Sequence, residues 1–447
     1  MTAVSSPRKQ ANSGLSVLRP QRAGVVYALV VVVVAFQVLA LSKGLPAFLS
    51  VTNVRNIIDQ SALDGVLVIS MTVLLITGNF DLSVGATAGL AGAAGLTVAN
   101  SHGILLGTLT AIGIGLGIGI VNGVLVQVVG VNAFIVTLGM LTAVQGLLLI
   151  VTSTNTVLAK SGQFSSLGTV LRAFSPPVMI AVGVVLVLYA VARAMGKIGP
   201  RRAEPRTAGP RTAGPRFDGT SASAGVVGLI IIVGIAVFPA LTTETTESWI
   251  MLVYMVLASL VLRFTIVGRR VYAVGGNAEA ARLSGINVGR YKIGAFVLTS
   301  VSAGLVGLMY AGKFGAVEPT ALVNEELPVL AAAILGGTSL FGGSGYVLKS
   351  VVGALILASL TEGFNVLNLG ANYQYLVQGV VIIAAAAVYT VAGQRRRATV
   401  TSGGQPPAPG AGAGAGADAG AGAGAGARDG SKPVKSSAPE AADEPVS

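Results

Sequence analysis

GVVYALVVVVVAFQVLAL, residues 24–41, is an unbroken run of eighteen residues without a charge. At about 1.5 Å per residue it comes close to crossing a hydrocarbon layer about 30 Å thick. Basic residues precede it, as in a secretory leader. The run is long for a leader, however, and no small-residue cleavage pattern follows, so it reads as an uncleaved first span. Further apolar runs occupy 61–77, 84–100, 103–128, 131–152, 176–195, 224–241, 248–267, 293–311, 328–341, 347–366 and 372–392. Of 447 residues, 53% are hydrophobic and 10% charged, against about 25% charged in a soluble domain. The sequence predicts an all-α polytopic membrane protein.

The net charge of +12 has a telling distribution. Twenty-three of the 29 basic residues fall in five patches that flank or join the apolar runs. Cytoplasmic loops collect such patches. No patch interleaves aromatic residues with its arginines as a nucleic-acid surface would, so no nucleic-acid partner is expected. If every patch faces the cytoplasm, an even number of crossings separates each pair. The runs divide as six, two and four, which satisfies this and puts both termini in the cytoplasm.

Twelve is the upper count, because two runs are doubtful as full spans. Gly85–Ala99 is short and mostly glycine and alanine, and 328–341 runs into Gly342, Gly343 and Gly345. Short, glycine-interrupted segments of this kind line cavities in transporters. The expectation is about 10–12 transmembrane helices, short or broken segments included. Gly115, Gly119 and Gly123 share one helix face and suit close helix packing.

Domain boundaries follow from these runs. Residues 1–23 form a cytoplasmic N-terminal segment, 24–195 a first transmembrane block, and 196–223 a cytoplasmic linker with a Pro-Arg-Thr-Ala-Gly repeat. A second transmembrane block covers 224–392 and contains a basic loop at 268–292, and the Gly/Ala-rich tail 393–447 offers almost nothing to bury.

Catalytic apparatus is not evident. Cysteine is absent and His102 is the only histidine, which leaves no thiolate or imidazole metal cluster. Gly196-Lys197 and Gly312-Lys313 lack the rest of a phosphate-binding loop. No enzyme activity and no bound cofactor or metal are expected.

Three stretches call for more than packing. Asp81-Leu82-Ser83-Val84-Gly85 puts a carboxylate between two apolar runs, where insertion costs about 2.5–3.5 kcal/mol unless it faces a cavity, a partner or an interface. Asp81 or Ser83 capping the next helix is the structural alternative. In Gly275-Gly276-Asn277-Ala278-Glu279-Ala280-Ala281-Arg282-Leu283-Ser284-Gly285, residues 278–284 suit a short helix capped by Asn277 and stopped by Gly285. Such a helix, tied to two spans, is shaped for docking, though it also suits a solvated connection. Finally, Glu325-Glu326-Leu327 precedes Leu335-Gly336-Gly337-Thr338-Ser339-Leu340-Phe341-Gly342-Gly343-Ser344-Gly345, whose five glycines in eleven residues make a poor continuous helix.

Together Asp-Leu-Ser-Val-Gly at 81–85, Glu-Ala-Ala-x-x-x-Gly at 279–285, Glu-Leu at 326–327 and Gly-Gly-Thr-Ser-Leu-x-Gly-Gly-x-Gly at 336–345 resemble the permease subunits of bacterial ABC importers for monosaccharides. The extra pair of spans at 224–267 looks most like the xylose-type branch. The resemblance implies a homodimer of permeases around one pathway, two cytoplasmic ABC ATPase subunits that bind the ATP, and an extracytoplasmic sugar-binding protein. Carried over by position, Glu279, Ala280, Ala281 and Gly285 form the loop that couples to the ATPase, while Asp81, Ser83, Gly85, Glu326, Gly336, Gly337, Thr338 and Ser339 lie near the pathway. Asn79-Phe80 and Pro328 depart from the family pattern, and the Pro-Arg repeat and the tail match nothing in it.

A sugar's hydroxyls find no hydrogen bonds in hydrocarbon, where an unpaired one costs several kcal/mol. Asn122, Asn132, Gln145 and Gln378 are therefore candidates to line the pathway or, instead, to bridge helices. The main rival is an ion-coupled secondary transporter, for which Asp81, Glu362 and Asp64 are the acids to consider. A non-transporting scaffold with basic docking loops is a third reading.

Overall fold

A computed structural model describes residues 20–160, 184, 246–370, 372–374, 376–381 and 383. The apolar runs expected at 176–195 and 224–241, the linker 196–223 and the tail lie outside the described residues (only residue 184 is included), and the run 372–392 is included only in part.

The helices are α1 (Pro20–Ser42), α2 (Val51–Ile76), α3 (Val84–His102), α4 (Ile104–Val124), α5 (Ala133–Thr152), α6 (Thr246–Phe264), α7 (Ile266–Gly276), α8 (Ala278–Leu283), α9 (Val288–Phe314), α10 (Glu326–Leu335) and α11 (Val347–Val366). A π-helical turn, Leu125–Val129, extends α4. The described strands are β1 (Val157–Leu158) and β2 (Ala316–Val317), which pair antiparallel. Seven helices among the described residues are long and apolar enough to cross a membrane.

The segment 84–100 is not broken, as its composition suggested. It is one 19-residue helix, and the irregular backbone lies before it, between α2 and α3. Near 328–341 the break does occur. Helix α10 has only ten residues, about 15 Å and half of a hydrocarbon layer.

Helix α2 is the axis of one half of the bundle. From Val66 to Ile76 every residue is buried, as expected of a helix apolar all round. Its neighbours come from α6, α7, α9, α10 and α11. Thr299 Oγ1 on α9 donates to the Ser70 carbonyl at 3.2 Å, and Tyr254 on α6 shares a 2.8 Å hydroxyl contact with Ser302 on α9. Near the start of α2, Asn56 and Gln60 each donate at 3.0 Å to the buried carboxylate of Glu362 on α11.

The other half packs α3, α4 and α9 through missing side chains. Lipid tails are as apolar as leucine, so close backbone approach is what holds such helices together. On α4, Gly115 meets the backbone of Ser300, Gly119 that of Val297, and Gly123 that of Ile293, all on α9. The four-residue glycine spacing is thus a packing seam. Gly307 of α9 lies against the Ala88 carbonyl and the Gly92 backbone of α3.

A valine at Gly307 meets backbone on both sides, which cannot swing away. Overpacking of this kind costs about 1–3 kcal/mol. Gly307→Val should lower the unfolding temperature in detergent, whereas Gly113→Val, whose added carbon has nothing within 4 Å, should leave it nearly unchanged.

Candidate functional site

Four sequence stretches (81–85, 275–285, 325–327 and 335–345) meet in one connected region. Its first part is the bend between α2 and α3. Asp81 is fully buried without a basic partner among its hydrogen bonds. Its Oδ1 accepts the Ser83 amide at 2.8 Å and the Ser83 hydroxyl at 2.6 Å. Its Oδ2 accepts the Asn122 amide at 3.3 Å and the Ser300 hydroxyl at 3.4 Å. The carboxylate is therefore satisfied entirely by neutral donors from the bend, α4 and α9, as a buried charge requires. Ser83 stands at the N-cap of α3 but makes no side-chain cap bond; its hydroxyl goes to Asp81 and accepts from Asn122 at 3.1 Å.

The second part is α10. Glu325 is its N-cap and Glu326 its first residue. Pro328 is the third, within the first turn, where the amide has no intrahelical acceptor to lose, so the proline is tolerated. The first helical bond runs from the Val329 amide to the Glu325 carbonyl at 3.0 Å. Glu326 is buried, and a side chain at Gly85 would come within 3.0 Å of its Oε2. Glycine at 85 is thus what lets α3 approach the start of α10. Glu325 is within electrostatic range of Asp64 and Glu326. Three buried side-chain atoms without a hydrogen-bond partner surround the first turns of α3: Thr87 Oγ1, Asn122 Oδ1 and Glu326 Oε2.

Helix α10 ends where Gly337 adopts φ +84°. The Gly337 amide bonds the Ile334 carbonyl at 2.7 Å and the Thr338 amide bonds the Ala333 carbonyl at 3.1 Å, the double closure that a left-handed glycine permits. The turn beyond is internally fixed. The Ser339 amide bonds the Ser344 carbonyl at 2.9 Å, the Phe341 amide bonds Ser339 Oγ at 3.2 Å, and the Thr338 hydroxyl lies 3.1 Å from that of Ser350.

The third part is the helix pair α7–α8. Asn277 accepts the Ala280 amide at 2.9 Å and caps α8. Gly285, at φ +78°, ends it through Gly285-to-Arg282 and Ile286-to-Ala281 amide bonds of 2.9 and 3.0 Å. The expected cap and stop are both found. Of the four residues expected to form the coupling loop, Ala281 is buried against Val274 and Val288, Glu279 and Ala280 face outward, and Gly285 makes the turn. Glu279 pairs with Arg282 at 3.8 Å on the surface, a contact worth less than about 1 kcal/mol.

What joins these parts is a knot of backbone. The Gly343 amide donates to the Ile76 carbonyl at the end of α2, at 2.9 Å. A side chain on Gly275 would collide with that same carbonyl, one on Gly342 would lie 2.7 Å from the Gly275 carbonyl oxygen, and one on Gly343 would lie 2.8 Å from Gly276 Cα. Only glycine allows α7, the 336–345 turn and the end of α2 to touch in this way. Tyr272 fastens the contact by donating to the Gly345 carbonyl at 2.7 Å. Burial, with a smaller contribution from Tyr346, pushes its phenol up to about 12, so it remains a donor at any cellular pH.

The four candidate amides differ in their surroundings. Asn122 bridges α4 to the Asp81 bend, and Asn132 caps α5 by accepting the Phe134 amide at 2.9 Å. Gln145 on α5 and Gln378 are half-buried. Sequence reasoning missed the Ser300 contact and the glycine knot. The first joins residues 219 positions apart and the second joins three separate elements, and no local spacing announces either.

Comparison with known proteins gives consistent results. Residues 53–386 match the family described as branched-chain amino acid transport system / permease component. The chain is 32% identical over 391 residues to the xylose transport system permease protein XylH of Escherichia coli strain K12, covering 86% of this chain and 95% of that protein. It is 34% identical over 346 residues to XylH of Haemophilus influenzae, covering 76% and 89%. It is 29% identical over 344 residues to the ribose import permease protein RbsC of Escherichia coli strain K12, covering 77% and 87%. No solved structure matches the chain.

Asp81→Ala would strand the Ser83 and Asn122 donors inside the bundle, at about 1–3 kcal/mol per unmet group. The variant should unfold at a clearly lower temperature in detergent, with Asp81→Asn, which keeps one acceptor oxygen, falling between it and the wild type.

Proposed function

The chain belongs to the permease-component family of transport systems, and from that premise we propose that it is the membrane-spanning subunit of an ATP-driven ABC importer for a monosaccharide, xylose or a related sugar. The observation that carries this reading is the glycine knot. It ties an outward-facing docking helix directly to a half-length helix whose other end reaches Gly85 and Glu326. A push on α8 passes through α7 to the 336–345 turn without an intervening flexible side chain, because the contact is backbone on backbone. The turn begins where α10 ends, so the displacement reaches the start of α3.

Substrate class comes from the relatives. The family description names amino-acid systems, but the xylose and ribose permeases align over most of their lengths. The unmet polar atoms Thr87 Oγ1, Asn122 Oδ1 and Glu326 Oε2 are the kind of group that a hydroxyl-rich solute would pair with when the helices part. Gly336, Gly337, Thr338 and Ser339 form the moving end of α10 in this scheme, and Gln145 and Gln378 are pathway candidates. Glu279, Ala280, Ala281 and Gly285 belong to the coupling loop.

The assembly is two copies of this permease with two ATPase subunits, which bind the ATP, and an extracytoplasmic sugar-binding protein. The α8 end faces the cytoplasm in a cytoplasmic membrane, as do both termini, the linker 196–223 and the tail.

In vesicles holding all three components, Glu279→Lys should cut ATP-driven sugar uptake at least tenfold without loss of folded protein. Gly275→Ala, which forces the Ile76 carbonyl away from α7, should do the same. Unchanged uptake in both would remove the coupling role. Because the chain has no cysteine, a single Glu279→Cys thiol tests sidedness: an impermeant reagent should label it only from the cytoplasmic face. Uptake that survives ATP depletion and collapses with an ion gradient would favour the secondary-transporter reading instead.

A further inference from the structure

Among the described residues, the two most exposed large hydrophobic side chains are Phe341, at 90%, and Leu283, at 82%. They belong to different elements, 58 positions apart in sequence, that the glycine knot holds together. Leu283 is the last residue of α8. Phe341 is the residue before Gly342, on the turn that packs against Gly275 and Gly276. Consecutive Cα atoms are 3.8 Å apart, so the route from Phe341 through Gly343 and Gly276 to the start of α8 spans at most about 20 Å.

Neither side chain is carried by a loose loop. Phe341 is fixed by its own amide bonding Ser339 Oγ and by the Ser339–Ser344 and Gly343–Ile76 bonds on either side. Leu283 is fixed by the double closure at Gly285. A rigidly presented phenylalanine loses little entropy on binding, which is what makes such a side chain an effective anchor in a partner's pocket. Exposed arginines are carried by the elements on either side of α8 and by α8 itself: Arg269 and Arg270 on α7, Arg282 on α8, where it pairs with Glu279, and Arg290 at the start of α9. Two exposed apolar side chains thus stand on elements joined by the knot, with exposed arginines on the helices that carry or flank Leu283.

We infer that the 339–344 turn is a second docking element for the ATPase subunit, with Phe341 as its anchor, beside the coupling helix. This rests on the coupling role proposed for α8. One partner can cover both, because a standard interface of about 800 Å² per side is roughly 28 Å across. Lipid is the less suitable occupant. Leu283 shares its helix with the Glu279–Arg282 ion pair, both of whose side chains are about 70% exposed, so this surface stands in water. The matching face of the ATPase would carry two apolar sockets with acidic residues around them. With both contacts engaged, the partner would grip the helix pair and the end of the half-helix at once, on the two sides of the knot.

The test is the affinity of full-length permease in nanodiscs for the purified ATPase subunit of its importer. Phe341→Asp should weaken binding at least tenfold and Phe341→Leu much less, with monodisperse protein in both cases. Leu283→Asp is the parallel arm. Weakening by Leu283→Asp alone would overturn the second docking element and leave the coupling helix intact. Weakening by neither would overturn both. A Phe341→Cys thiol supplies an independent reading. Protection from a soluble thiol reagent on adding ATPase supports the inference. Protection already present in nanodiscs, or cross-linking between two permease copies without ATPase, would assign Phe341 to lipid or to a second copy and overturn it.

Discussion

Helices in a membrane cannot be driven together by excluding water, so this bundle depends on how closely its backbones approach. Glycine sets that distance at each of the decisive contacts. Gly115, Gly119 and Gly123 seat α4 on α9, Gly92 and Gly307 seat α3 on α9, and Gly275, Gly342 and Gly343 close the knot at the end of α2. These contacts are stiff because there is no side chain to rearrange, and a stiff contact passes movement on. The same chemistry that holds the helices therefore also links the α7–α8 pair to the turn that ends α10.

Buried polarity follows a complementary rule. Asp81 and Glu362 are both carboxylates in the protein interior, and both are met by side-chain donors without charge. Each reaches beyond its own segment of chain. Asp81 holds the bend before α3 to α4 and α9, and Glu362 holds α11 to α2. Neutral donors avoid the desolvation of a second ion while still specifying which helices meet. The two carboxylates fix the frame within which α10 is the short, glycine-ended element.

The membrane class and most spans were legible because length and hydropathy in a bilayer leave few choices. The run 347–366 matches α11 to the residue. The short helix after Asn277 was legible as well, since a capping side chain and a left-handed glycine act locally. The doubt about the Gly/Ala segment as a full span stands, since α3 is not among the seven helices long and apolar enough to cross, but its composition wrongly suggested a break. Packed on α4, α5 and α9, a glycine- and alanine-rich chain stays helical for 19 residues. Asn122 offered no local clue either. Its partner Asp81 is 41 positions away, and an amide inside a span looks the same whether it lines a passage or fastens two helices. The motifs stood out in the sequence one by one, while their contact with one another came only from the fold.

The brevity of α10 has a consequence for biogenesis. Ten residues are too few to enter the bilayer as an independent hydrophobic unit, and the turn that follows carries amides needing acceptors. One of those acceptors, the Ile76 carbonyl, was synthesised more than 260 positions earlier. The half-helix must therefore wait for a cavity already walled by α2 and α11, which makes its insertion a late, post-translocation step in maturation of the chain.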